Sequence, residues 1–262
     1  MRATTNDARR RRRAPLWVLA GLALGAGTEA RAGDALIAVA TNFAETMPSL
    51  KAAFEQRTTH ELRFTTGSTG QLYAQIRQRA PFDVFLAADR RRARRLVDEG
   101  RAVAGSRFTY ARGRLVLWSR DADRIGADGA ATLRESPPRV LALANPALAP
   151  YGVAGRQTLE ALDLWAGLEP RVALGQNVGQ AYAMTATGAA EMGFVPLSAL
   201  VSRDRPSAGS HWRVPAGLHE PIRQDAVLLT RAEENPAARA FVEFLASPTA
   251  RGIIADHGYE LE

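Results

Sequence analysis

"ALIAVATNFAETM", residues 35–47, changes character at its middle. Its first six residues form an apolar run of the length expected for a strand buried on both faces. From Phe43 onward the apolar residues Phe43, Met47, Leu50 and Phe54 recur at helical spacing. Between the two stand Thr41 and Asn42, a hydroxyl and an amide without charge. Such residues cap a helix by accepting its orphan N–H bonds. The same N–H groups, with the helix dipole, also make a seat for an anion. Both readings stay open here, but the unit is clear: a buried strand handing over directly to a helix.

The unit recurs along the chain. "ELRFTT" (61–66), "FDVFLAA" (82–88), "RLVLWS" (114–119), "RVLALANP" (139–146), "RVALGQ" (171–176), "MGFVPL" (192–197) and "DAVLLT" (225–230) read as further strands. Helices are predicted from the residues carrying Leu72 and Ile76, up to Gly100, and over about 155–164, 179–187 and 236–246. This alternation predicts parallel α/β sheets. A mature chain of this size approaches the limit of a single core, so two lobes are expected. "SRFTYARG" (106–113) and "HEPIRQD" (219–225) are the expected crossings between them. The first lobe then comprises 33–112 plus 224–262, and the second 113–223.

The first 32 residues stand apart. Five arginines, Arg9 to Arg13, precede the apolar "APLWVLAGLALGAG", and "ARA" follows at 30–32. That order reads as a secretory signal peptide, and its apolar part falls short of the ~20 residues of a membrane span. The segment carries seven arginines against Asp7 and Glu29, so its +5 accounts for most of the chain's +7 and leaves +2. The basic character is therefore a property of the leader and gives no argument for nucleic acid. The absence of cysteine excludes disulfides, thiolate metal sites and cysteine nucleophiles.

Four strand-to-helix junctions share one chemistry: "ATNF" (40–43), "TGSTGQ" (66–71), "APYGVAG" (149–155) and "QNVGQA" (176–181). Each offers glycine, hydroxyl or amide groups, and none offers an acid. In open α/β sheets, ligands sit beyond the carboxyl ends of strands where helices begin. Two junctions from each lobe, facing one cleft, would hold a small oxyanion by dipoles and hydrogen bonds without a compensating cation. Capping and turn chemistry accounts for each junction taken singly.

Several stretches taken together, "VATNFAETM", "TTGSTGQLYAQI", "APFDVFLAAD", "GSRFTYARGRLVLWS", "NPALAPYGVAGRQTLEAL" and "GAAEMGFVPLSAL", resemble in order and spacing the periplasmic molybdate-binding proteins of ABC importers, the ModA family. The resemblance runs from about 35 to 260. It implies a two-lobed periplasmic binding protein fold of type II, with the ligand in the cleft between two Rossmann-like lobes. It also implies capture of molybdate, and of tungstate with it, for delivery to a membrane permease. Molybdenum would be held as its oxyanion, with no side chain ligating the metal and no cofactor.

Position by position, the resemblance implies that Thr41 and Asn42 hold the oxyanion by side chain and backbone N–H. Thr69, with Ser68 beside it, supplies the second junction's hydroxyl, Tyr151 a second-lobe contact, and Val178 its backbone N–H alone. One branch of the family places a closing tyrosine after the last second-lobe strand. This chain has Phe194, Val195 and Pro196 there.

Other classes find less support. The arginines at 90, 91, 92, 94 and 95 lack interleaved aromatics and read as a solvated helix face. The four histidines, at 60, 211, 219 and 257, show no metal-binding spacing. "GSTG" is not a Walker loop, and no GxSxG elbow occurs. A protein binding sulfate or another tetrahedral oxyanion, or an exported enzyme acting on a phosphorylated compound, are the alternatives. The expectation is a monomeric periplasmic binding protein, not an enzyme, with no nucleic-acid partner.

Overall fold

Among the described residues of a computed structural model, 33–201 and 208–262, ten strands form two five-stranded sheets. The leader predicted over 1–32 lies outside the described residues. The first sheet contains β1 (Asp34–Ala40), β2 (Glu61–Gly67), β3 (Val84–Leu86), β4 (Phe108–Gly113) and β10 (Ile222–Leu228). Its order is β2-β1-β3-β10-β4. The second contains β5 (Leu115–Ser119), β6 (Leu141–Ala144), β7 (Val172–Gly175), β8 (Met192–Pro196) and β9 (Ser210–Arg213), in the order β7-β6-β8-β5-β9.

The sheets are mixed, which corrects the expectation of parallel ones. In each, four strands run one way and one runs against both of its neighbours: β10 against β3 and β4, and β5 against β8 and β9. The reason is the connections. Parallel neighbours need a crossover of a dozen or more residues, whereas β4 passes to β5 through Arg114 alone, changing sheets as it does. The segments read as crossings are themselves strands: β4 and the start of β10 pair with each other. β10 thus returns the chain to the first sheet.

The helices are α1 (Met47–Glu55), α2 (Thr69–Arg77), α3 (Arg90–Asp98), α4 (Gly129–Glu135), α5 (Pro150–Ala161), α6 (Trp165–Leu168), α7 (Val178–Thr187), α8 (Pro236–Leu245) and α9 (Pro248–Asp256). The sequence reading had missed α4, α6, α9 and β9. β1 shows how the first sheet is covered on both faces. Ile37 and Val39 meet Phe43, Met47, Phe54 and Phe241 on one side, while Ala38 meets Leu72, Ile76, Phe85 and Leu96 on the other. Alternate side chains of a strand point to opposite faces, so a strand buried twice must be apolar throughout. Phe54 packs edge-on to Phe241 with ring centroids 5.6 Å apart. Among the described residues no helix is long and apolar enough to cross a membrane.

Candidate functional site

The opening stretch resolves into β1, a 3₁₀ turn over Thr41–Phe43, and α1. The turn begins without a side-chain cap, so capping does not explain Thr41. Its Oγ1 is buried and has no hydrogen-bond partner among the described residues. Buried polar atoms are nearly always paired, so such an orphan asks for a partner. On its other side Thr41 meets the start of α7: a Cβ added to Gly179 would lie 2.6 Å from Thr41 Cγ2. Glycine is what lets the two junctions approach.

Asn42 is buried, and its side-chain N–H groups and backbone carbonyl are engaged. Its Nδ2 donates to Gln224 Oε1 at 2.9 Å and to Tyr259 OH at 3.1 Å. Its carbonyl accepts from Tyr259 OH at 2.6 Å and from Ser198 Oγ at 3.0 Å. The group it leaves for a ligand is therefore the backbone N–H. Ser198 follows β8, near where the related tyrosine would stand, and reaches across from the second sheet.

At the second junction the two hydroxyls behave differently. Ser68 caps α2 in a reciprocal capping box with Gln71, and its own proton goes to Gln71 Oε1 at 2.9 Å. Thr69 Oγ1 accepts from the Ala88 N–H at 3.1 Å, which leaves its proton to donate. The next residue, Gly70, donates its N–H to Leu148 O at 2.8 Å, joining the start of α2 to the segment that leads into α5.

The helix predicted from about 155 begins earlier, at Pro150, a residue favoured in the first turn because its missing N–H is an orphan there anyway. Tyr151 thereby sits in the first turn, buried, and its OH accepts from Gln224 Nε2 at 3.4 Å. Room for that hydroxyl comes from Gly113, where an added Cβ would lie 2.1 Å from it. α7 is capped by Asn177, whose side chain accepts from Gln180 N at 3.0 Å. Val178 is its first residue, and its side chain packs in the core of the second sheet.

Three phenols stand together and stay neutral. Burial pushes Tyr110 and Tyr151 well above the usual tyrosine range, and neighbouring phenols add to the effect. Burial also raises Tyr259, against the opposing pull of its hydrogen bonds to Ser198 and Asn42. Phe43 holds two of them, edge-on to Tyr110 at 5.0 Å and to Tyr259 at 5.1 Å. Every group in the cluster named so far is uncharged.

Gln224, Tyr110, Ser198 and Tyr259 were not found from sequence. The pair Gln224-Asp225, polar residues drawn into β10 just before its apolar end Ala226–Leu228, was the one available signal. Tyr259 lies in a short tail that carries none.

The arginines lie elsewhere. A cleft of about 470 Å³ is lined by Asp89, Arg90, Arg91 and Arg223 with Pro150 and Val153, and by none of the six candidate residues. Arg92 corrects the reading of α3 as a solvated face: it is buried, paired with Asp89 at 2.5 Å and donating to Ala147 O at 2.9 Å. Among the described residues no group of three or more His, Cys, Asp or Glu could hold a metal ion.

Residues 35–260 match the bacterial extracellular solute-binding protein family. The chain belongs to that family. Within it, the chain is 44% identical over 244 residues to the molybdate-binding protein ModA of Azotobacter vinelandii, spanning 92% of this chain and 96% of the relative. It is also 44% identical over 241 residues to ModA of Rhodobacter capsulatus, spanning 92% and 94%. The solved structure of the Azotobacter vinelandii periplasmic molybdate-binding protein superposes with a TM-score of 0.84 at 40% identity, covering 87% of this chain and 99% of that one. The ModA resemblance read from the motifs and the α/β solute-binding fold both stand.

Proposed function

We propose that the protein captures molybdate, and tungstate with it, in the periplasm and hands the oxyanion to the permease of an ABC importer. The observation that carries this reading is the state of the junction donors. Thr69 and Tyr151 each accept a hydrogen bond from a neighbouring N–H and so retain their own protons to give. Thr41 adds a buried hydroxyl without a partner. The backbone N–H groups of Asn42 and Val178 complete the set, and Ser68 holds the start of α2 in place. First-turn N–H groups have no partner within their helix, and a dianion at several helix starts meets both donors and dipoles.

In this reading residues 33–112 with 224–262 form one lobe and 113–223 the other, and the cleft between them closes on the ligand. The relatives named above carry binding names, which agrees with a protein that leaves its ligand chemically unchanged. It works as a monomer and without a cofactor.

The test is titration calorimetry of the exported chain against molybdate, tungstate, sulfate and phosphate. Molybdate and tungstate are expected to bind tightly and sulfate far more weakly. Ligand at about 100 times its Kd should stabilise the fold by ~2.7 kcal/mol, so molybdate should raise the Tm while sulfate at equal concentration does much less. Equal binding of sulfate and molybdate would reduce the protein to a general oxyanion binder.

A further inference from the structure

Gln224 lies where β10 and β4 slip register. The pairing runs Gln224 with Ala111 and then Asp225 with Thr109, so Tyr110 is passed over. Bulges of this kind re-aim side chains. Asp225 is turned toward Arg107 and toward Thr109, whose hydroxyl it meets at 2.8 Å. Gln224, wholly buried, is turned into the junction cluster. Its Oε1 accepts from Asn42 Nδ2 at 2.9 Å and from Tyr110 OH at 3.1 Å, and its Nε2 donates to Tyr151 OH at 3.4 Å. Gly113 leaves the space for this meeting: an added Cβ would lie 2.8 Å from Nε2.

The direction of each hydrogen bond follows from one fixed acceptor, the Asn42 carbonyl. A carbonyl only accepts, so Tyr259, the nearer hydroxyl at 2.6 Å, turns its proton toward it, with Ser198 Oγ 3.0 Å from both. Tyr259 then has a lone pair for one N–H of the Asn42 amide, and the other N–H goes to Gln224 Oε1. Reversing the Gln224 amide would set its NH₂ against the NH₂ of Asn42. Its Nε2 therefore faces Tyr151, and the Tyr151 proton points away from Gln224.

We propose that Gln224 is the positioning residue that sets the proton polarity of the oxyanion site, holding Tyr151 as a donor to the ligand while anchoring Asn42. The proposal rests on the molybdate-binding reading above. Gln224 does not touch the ligand; it acts through the Tyr151 hydroxyl. With a donor already supplied by Gln224, Tyr151 gives its proton outward and suits an oxyanion that carries none of its own.

The test is a double-mutant cycle read by molybdate calorimetry on the wild type, Gln224→Met, Tyr151→Phe and the double variant, with circular dichroism and melting curves for each. Each single change is expected to weaken molybdate binding about tenfold or more. In the Tyr151→Phe background the effect of Gln224→Met should shrink at least fivefold, because the hydroxyl it orients is gone. A purely structural role would lower affinity equally in both backgrounds. Gln224→Leu, uncharged and of similar volume, is run through the same cycle with the same expected shrinkage, so a poorly folded methionine variant does not shield the proposal. Wild-type affinity in Gln224→Met, or losses that multiply in the double variant, would overturn the positioning role alone. Failure of the wild type to bind molybdate would overturn the functional reading and this proposal with it.

Discussion

Two neighbouring regions of the molecule look suited to an anion, and they are built on opposite principles. The arginine-rich start of α3 borders a cleft and carries abundant positive charge. Much of that charge is answered locally: Arg92 by Asp89, Arg90 by the buried Asp225 at 3.8 Å, Arg94 by Asp98 at 3.8 Å and Arg95 by Glu99 at 3.7 Å. The four junctions carry no charge, yet they offer hydroxyl and first-turn N–H groups. A site made of arginines would attract any anion and release it only as salt screens the attraction. A site made of fixed neutral donors gains its strength from geometry, and it can let go when its two sides part. The difference teaches that positive charge is a poor guide to where this chain would hold an anion.

The largest expected effect comes from keeping the junctions apart. Gly179→Val would drive a branched side chain into Thr41, whose Cγ2 already stands 2.6 Å from an added Cβ. Overpacking of this kind costs about 1–3 kcal/mol. Molybdate affinity should fall on the order of a hundredfold at the upper end of that range, with an unchanged circular dichroism spectrum. Undiminished binding would mean that Thr41 and α7 need not approach to hold the ligand.

Removing single protons should have the next effect. Thr69→Val and Tyr151→Phe keep shape and delete one donor each. A hydrogen bond to a charged group contributes roughly 1.5–3 kcal/mol, so each change should weaken molybdate binding about tenfold or more. Retained affinity in either variant takes that hydroxyl out of the site.

The buried phenols predict a pH effect on the fold. Tyr110, Tyr151 and Tyr259 have raised values in the folded protein, so the native state keeps their protons at a pH where the unfolded chain loses them. Their contribution is present in full below about pH 10, the ordinary tyrosine value. It is lost as pH rises toward the folded values, at up to about 1.4 kcal/mol per pH unit for each phenol. Urea melts at pH 8, 10 and 11 should show the decline beginning near 10. A stability that is flat or rising across that interval would contradict the neutral-cluster account.

The smallest effect is expected where the charge is greatest. Arg91→Gln and Arg94→Gln, on the exposed side of α3, should leave molybdate affinity within about twofold. A large loss from either would move the anion site toward the arginine cleft and reverse the comparison.

The fold was legible to the extent that burial leaves a periodic trace. β1 and β8 were read within a residue or two, because strands covered on both faces are apolar throughout; β2, an edge strand with one face exposed, left only the alternation of Leu62 and Phe64. β9, with Ser210, His211 and Arg213, carries no such trace and was missed. The antiparallel strands were legible as segments but not in direction, since direction is set by the one-residue step at Arg114. At the site, the hydroxyl and amide residues Thr41, Asn42, Ser68 and Thr69 announce themselves by type, whereas Val178 does not, and Tyr151 stands in a first turn because α5 begins at Pro150, earlier than its periodicity indicates. Their hydrogen-bond states were not legible. Nothing local in the sequence tells that Asn42 commits its side chain to Gln224 and Tyr259, residues 182 and 217 positions away. Contacts at such range belong to the fold, and only the completed fold assigns them.

The central claim, that neutral donors at helix starts hold the oxyanion, is tested most directly at Val178. The residue opens α7, and Asn177 before it is extended, with φ −151° and ψ 174°, as a residue preceding proline prefers. Val178→Pro removes the backbone N–H while keeping a backbone that a first helical turn accepts. Val178→Ala keeps the N–H and trims only the side chain. Calorimetry against molybdate, with circular dichroism to confirm that both variants fold, compares them. The account predicts near wild-type affinity for Val178→Ala and a loss on the order of tenfold or more for Val178→Pro. A folded Val178→Pro protein that binds molybdate at full strength would contradict it.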